Sequence, residues 1–137
     1  MGLLDLFGKR DVSAELTRKV PYALTVQFHP YRLSANRNDS VMLKVGIENL
    51  STEPFLTSIV VKVPKKLGLD QTGLQQVREI RLGELAKGES KTVSVEVYGS
   101  TKTDEGEYPI EVTAMAHYRN YAYVLNSERK KASLRAV

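Results

Sequence analysis

The chain has 137 residues, 42% apolar and 26% charged, with no cysteine, no tryptophan and a formal net charge of +4. That length suits one domain able to bury a core of its own, and the composition is that of a globular chain, not a disordered one. The absence of cysteine excludes disulfides, thiolate metal sites and cysteine nucleophiles together, and it favours a reducing, cytoplasmic location.

Residues 1–20 read as an N-terminal arm and residues 21–137 as the domain. Met1 to Arg10 is not expected to be a secretory signal, because its apolar run is short and early and its basic residues follow. On a helix Leu3, Leu6 and Phe7 share a face, with Leu4 beside them and Lys9 and Arg10 behind. Such a segment can lie in an anionic membrane interface or dock on a partner; it can equally fold back over the domain, since two helical turns need a surface to form on. Asp11 to Lys19 continues as helix with Asp11 as N-cap, or serves as a linker, and Pro21 closes it. No apolar stretch approaches the roughly 20 residues that span a bilayer.

From Tyr22 the pattern changes to a period of two. Leu24, Val26 and Phe28 alternate with polar residues until His29-Pro30, where proline has no N–H for a ladder and predicts a kink as the first strand changes sheets. Tyr31 to Ala35 extends it, and Asn36 to Asp39 is a turn by composition. Val41, Leu43, Val45 and Ile47 face one way on the next strand, and Ile59, Val61 and Val63 on the one after the turn at Asn49 to Pro54. Leu67 to Gln76 carries little pattern. Ile80, Leu82 and Leu85 mark a short strand and turn, and Val93, Val95 and Val97 another strand.

The stretch from Asp104 to Arg119 organises the rest. After a turn at Glu105-Gly106 it alternates Tyr108, Ile110, Val112, Ala114, Ala116 and Tyr118 against Pro109, Glu111, Thr113, Met115, His117 and Arg119. So long an alternation predicts a central strand with one face in the core. Pro109 places that end of the strand at an edge or a bulge. Tyr121, Tyr123 and Leu125 lead into a break near Asn126-Ser127, and Ala132, Leu134 and Ala136 finish the chain. Seven strand-like segments with frequent turns, and no crossover helices, predict an all-β immunoglobulin-like Greek-key sandwich of seven to eight strands behind a short helical or disordered arm.

Asp104-x-Gly106-x-Tyr108-x-Ile110-x-Val112 resembles the tyrosine corner of immunoglobulin-type domains, with Ile110 at the position where many keep a cysteine. The wider pattern is similar to the immunoglobulin-like CARDB or NEW3 modules of archaeal and bacterial proteins. It is carried by Val45-Gly46-Ile47-Glu48-Asn49-Leu50-Ser51, Leu82-Gly83-Glu84-Leu85-Ala86-Lys87-Gly88-Glu89 and Gly106-Glu107-Tyr108. The matching positions are turn and core residues. The resemblance therefore implies a binding or spacer module and supplies no site.

Chemistry is hard to assign. His29 and His117 are the two histidines, both on the solvent parity of their strands, without the spacing of a metal pair. Asp104, Glu105 and Glu107 lack calcium-loop spacing. No glycine-rich loop opens a helix, so no nucleotide site is expected. No nucleophile and base converge, so the chain is read as a non-enzyme with no cofactor and no metal. The strongest candidate surface is Tyr118, Arg119, Tyr121 and Tyr123, since tyrosine and arginine make binding hot spots; the alternative is that the tyrosines pack along two adjacent strands. Arg119, Arg129, Lys130, Lys131 and Arg135 against Glu128 give residues 118–137 a net +4. This is read foremost as a solvated edge guarded by charge, and secondly as a contact for an anionic partner. The expected function is non-catalytic protein interaction with an unknown partner, tethered through Leu3, Leu4, Leu6 and Phe7 to a membrane surface or partner. The alternatives are self-association through a sheet edge and, less favoured, nucleic-acid or other polyanion binding.

Overall fold

The structure is a computed structural model that describes residues 22–137. The expected arm, for which the sequence suggests an apolar face of Leu3, Leu4, Leu6 and Phe7 and a helix or linker at Asp11 to Lys19, lies outside the described residues. Eight strands follow: β1 Tyr22–His29, β2 Arg32–Leu33, β3 Asp39–Asn49, β4 Phe55–Lys62, β5 Val77–Leu85, β6 Ser90–Gly99, β7 Gly106–His117 and β8 Val124–Ala136. They form a three-stranded sheet, β1-β3-β6, facing a five-stranded sheet, β2-β8-β7-β4-β5. β7 is the middle strand of the five, as its alternation requires.

The core is built from the parities that the sequence marks. Val41, Leu43, Val45 and Ile47 of β3 face Ile59 and Val61 of β4 and Ile110, Val112, Ala114 and Ala116 of β7, all at most 2% exposed. The chain changes sheets across a cis His29–Pro30 bond: β1 pairs antiparallel with β3, whereas β2 pairs parallel with the end of β8. Pairing with β4 ends at Glu111, so at Pro109 only β8 flanks β7. The missing N–H sits where the strand has one neighbour.

Two polar devices hold the ends. The Tyr108 hydroxyl donates to the Asp104 carbonyl at 2.7 Å, which is the tyrosine corner formed. Fully buried Asn49 donates to the carbonyls of Glu53 and Leu85 and accepts the Ser51 N–H, tying the β3–β4 turn to the end of β5.

Three segments differ from the sequence reading. β5 is a nine-residue strand and not a short one, because an edge position lets Glu79 and Arg81 alternate into water. The expected break at Asn126-Ser127 is absent: these turn formers pair with Ala116 and Met115, and the ladder along β7 overrides their local preference. Tyr31 to Ala35 does not extend β1 but yields only the two-residue β2 in the other sheet.

The register sorts the turns into two groups. Residues 50–54, 86–89 and 118–123 lie at one end of the sandwich, where the described chain also enters: Tyr22 pairs with Asn49, and its hydroxyl meets Thr57 Oγ1 at 2.7 Å across the core. Burial pushes the Tyr22 phenol pKa up against the opposing effect of that bond. Residues 63–76 and 100–105 and the chain end at Val137 lie at the other.

Candidate protein-interaction surface

Residues 118–123 connect β7 to β8 and close on themselves. The Tyr118 N–H donates to the Tyr123 carbonyl at 2.9 Å, Tyr123 donates back to the Asn120 carbonyl, and Asn120 Oδ1 accepts the Ala122 N–H. Asparagine side chains favour this local turn. Arg119 adopts φ +66°, uncommon for a residue with a Cβ, and its guanidinium lies 5.0 Å from the Tyr118 ring centroid.

Tyr121 folds back from this turn onto the outer face of the five-stranded sheet. Its ring meets His117 edge-on, with centroids 5.0 Å apart, and the Arg81 guanidinium lies 4.6 Å from its centroid. Its hydroxyl accepts the Gly83 N–H at 3.0 Å. That donor is presented by a bulge in β5 where the register with β4 skips Leu82 and Gly83 takes φ +78°, a conformation glycine adopts without strain. Beneath the ring, Ser58 Oγ and His117 Nε2 lie 2.7 Å apart, at 0% and 3% exposure.

This corrects the reading of His117 as a solvent-facing histidine. It does share the outward parity of Met115, but Tyr121 covers it, and among the described residues no hydrogen-bond partner reaches its Nδ1. A hydroxyl–imidazole pair makes two of the three members of a hydrolytic triad. Here it is buried under an aromatic ring, and among the described residues no third group orients the imidazole.

With Tyr121 turned inward, the tip presents Tyr118, Tyr123, Val124 and Leu125, which are 49–62% exposed. Tyr118, Arg119 and Tyr123 are thus brought together on the surface, and Tyr121 is separated from them. The tyrosines do not pack along two adjacent strands, because all three lie in the connection. Val124 and Leu125 were not among the candidate surface residues; the register shift at Ala116/His117 falls opposite Leu125, a feature no local pattern states. Ser58, Arg81 and Gly83 were missed as well, since Ser58 meets His117, and Arg81 and Gly83 meet Tyr121, only across distant parts of the chain.

The basic residues of β8 do not form one stripe. Arg129 and Lys131 lie on the outer face, with Arg129 Nε 3.3 Å from Glu111 Oε1. Lys130 lies on the core-facing parity, opposite Val112, and its Nζ reaches the Leu24 carbonyl at 3.2 Å. His29 ends β1, exposed opposite Met42. Asp104 pairs with Lys66, and among the described residues no group of three or more histidine, aspartate and glutamate side chains could hold a metal ion. Two open clefts of about 460 and 360 Å³ share Gln71, Tyr98 and Gly99 at the opposite end, away from these candidates.

No family model matches the sequence, and no curated protein matches it. Solved structures do. Native α2-macroglobulin from Escherichia coli, from domain MG7 to the C-terminus, superposes with a TM-score of 0.64 at 18% identity over 88% of this chain. That match takes in 17% of the E. coli chain, so this chain spans a small part of that protein's length. A FixG-related protein from Vibrio parahaemolyticus gives 0.55 at 10% identity, covering 86% of this chain and 98% of the other. The CARDB domain of the PF1109 protein from Pyrococcus furiosus, in complex with di-metal ions, gives 0.54 at 16% identity, covering 85% and 87%. The chain has a CARDB-like immunoglobulin fold. At these identities the likeness concerns the fold alone.

Proposed function

We propose that this domain is a non-catalytic protein-interaction module, acting in the cytoplasm, whose contact surface is the β7–β8 tip. The observation that carries the reading is the tip itself: four half-exposed apolar side chains on a turn pinned by Tyr121. A preformed surface loses little conformational entropy on binding, and tyrosine supplies large contact area with few rotatable bonds. The sealed Ser58–His117 pair supports the absence of catalysis, since neither group meets solvent. The β8 side chains give less support to polyanion binding, because Arg129 pairs with Glu111 and Lys130 reaches towards the Leu24 carbonyl of β1, on the opposite parity from Arg129 and Lys131.

The test is a photoreactive amino acid placed at Tyr123 and, separately, at Leu74 at the other end, which is 82% exposed. In the native cell a defined partner should cross-link from position 123 alone. Tyr118→Ser with Leu125→Ser should remove it while leaving the urea midpoint within error. Equal cross-linking from both positions, or none from 123, overturns the reading.

A further inference from the structure

The exposed tip has an occupant available within the same chain. Chain entry at Tyr22 and the β7–β8 tip share one end of the sandwich: Tyr22 reaches Thr57, Thr57 pairs with Ala116, and His117 pairs with Val124. Exposed Leu50 of the β3–β4 turn lies at the same end. The segment before Tyr22 carries the apolar set Leu3, Leu4, Leu6 and Phe7. Fourteen residues, 8–21, separate Phe7 from Tyr22, and a chain of that length reaches at most about 50 Å when fully extended.

We propose that residues 3–7 cover the Tyr118, Tyr123, Val124 and Leu125 patch in cis, so that the arm is a built-in competitor for the partner surface. This rests on the reading of the tip as that surface. Tethering makes the argument quantitative. A short connection holds its cargo at an effective concentration in the millimolar range near its anchor, so even a weak apolar contact is occupied. The match is chemical as well: an apolar face of leucine and phenylalanine meets tyrosine, valine and leucine at the one end where the tether starts.

The absence of native cysteine allows a clean test in the full chain. Gly8→Cys is paired with Ser127→Cys beside the patch, or with Lys102→Cys in the β6–β7 turn at the other end, and a short bis-maleimide is added at micromolar protein. None of these substitutions removes a patch residue. Intramolecular cross-linking of the 8/127 pair should exceed that of the 8/102 pair by about tenfold or more. Leu3→Ser, Leu6→Ser and Phe7→Ser together should lower the 8/127 rate severalfold; an unchanged rate would show that the tether alone supplies the excess and would overturn the proposal.

Equal rates for the two pairs overturn the proposal. So does cross-linking found only between two chains, which would assign the patch to a second copy. Flotation of the full chain with phosphatidylglycerol vesicles, combined with no cis cross-link, assigns the arm to a lipid surface instead and also overturns it. The two readings fail separately. A cis cross-link without a tip-dependent partner removes the interaction reading, and a tip-dependent partner without a cis cross-link removes this one.

Discussion

Single hydroxyls and carboxylates close the ends of this sandwich, and their contributions are measurable one at a time. Tyr108 donates its hydroxyl to the Asp104 carbonyl, so Tyr108→Phe keeps the ring and loses the bond. A typical hydrogen bond is worth about 1 kcal/mol. Chemical denaturation of that variant should show a loss of this size with an unchanged m-value, and a variant as stable as the parent would deny the corner its role. Glu96 accepts from the Ser40 hydroxyl at 2.7 Å and the Tyr98 hydroxyl at 2.8 Å. These bonds, Ser40 first, hold its carboxyl below the ordinary glutamate value of 4.5, and the backbone N–H of Ser34 chiefly does the same for Asp39. A depressed carboxylate adds stability above its unfolded pKa and loses it as pH falls through the folded one. Stability should therefore fall below about pH 4.5, and Glu96→Gln should flatten that acid limb in urea midpoints measured between pH 6 and 3. An unchanged limb would place the acid sensitivity elsewhere. The corner was legible in the sequence because its donor and acceptor are four residues apart. The Ser40–Glu96 bond was not, because it joins two strands across a register no local pattern states.

At the level of the element, the β7–β8 connection behaves as a hairpin tip clamped by one ring. Tyr121 touches β7 through His117 and β5 through Arg81 and Gly83. Tyr121→Phe loses one hydrogen bond and should cost about 1 kcal/mol. Tyr121→Ala also uncovers the buried Ser58–His117 pair and should cost about 2–3 kcal/mol, within the usual range for a half-buried aromatic. Amide exchange at residues 118–123 should rise in Tyr121→Ala well beyond what the stability loss explains. If exchange there is unaltered, the turn holds itself through Asn120 and the ring is incidental. β7 was readable along its whole length because its inner parity is apolar at every step from Ile110 to Ala116. β8 was not: Asn126, Glu128 and Lys130 occupy its inward parity, so its alternation vanishes just where the partner strand keeps it extended. His117 shows the same limit from the other side. Its parity was read correctly, and its burial depends on a residue whose direction the period of two does not encode.

For the whole molecule, the question set by an open sandwich is what its sheet edges do. β5 alternates Glu79 and Arg81 on its outer face and carries the Gly83 bulge, so it offers a poor template. β6 is bridged at Tyr98 by Gly68 of the β4–β5 connection. A Cβ at Gly68 would lie 2.5 Å from the Gly73 Cα, so that connection packs tightly on itself. β8 is different: β2 covers only Arg135 and Ala136, and among the described residues Val124 to Leu134 have β7 on one side alone. Eleven of the thirteen residues of β8 thus present an edge that invites pairing with a second copy unless something opposes it. The opposition is charge, and its placement matters more than its amount. Lys130 points from the inner parity into the gap towards β1, where its ammonium caps the Leu24 carbonyl, so a strand added to β8 would have to strip that cation of water or displace it. Arg129 and Lys131 flank it on the outer face, and in an antiparallel pair of two β8 strands these like charges would meet one another. The parent chain should thus sediment as one species across a hundredfold range of concentration, whereas Lys130→Val with Arg129→Thr should gain mass with concentration and bind an amyloid dye on standing. The inward residue is the decisive one: Lys131→Thr alone, which leaves Lys130 in place, should stay with the parent. Concentration-dependent mass in the parent itself would show that these charges do not guard the edge, and would restore self-association through β8 as the function of the fold.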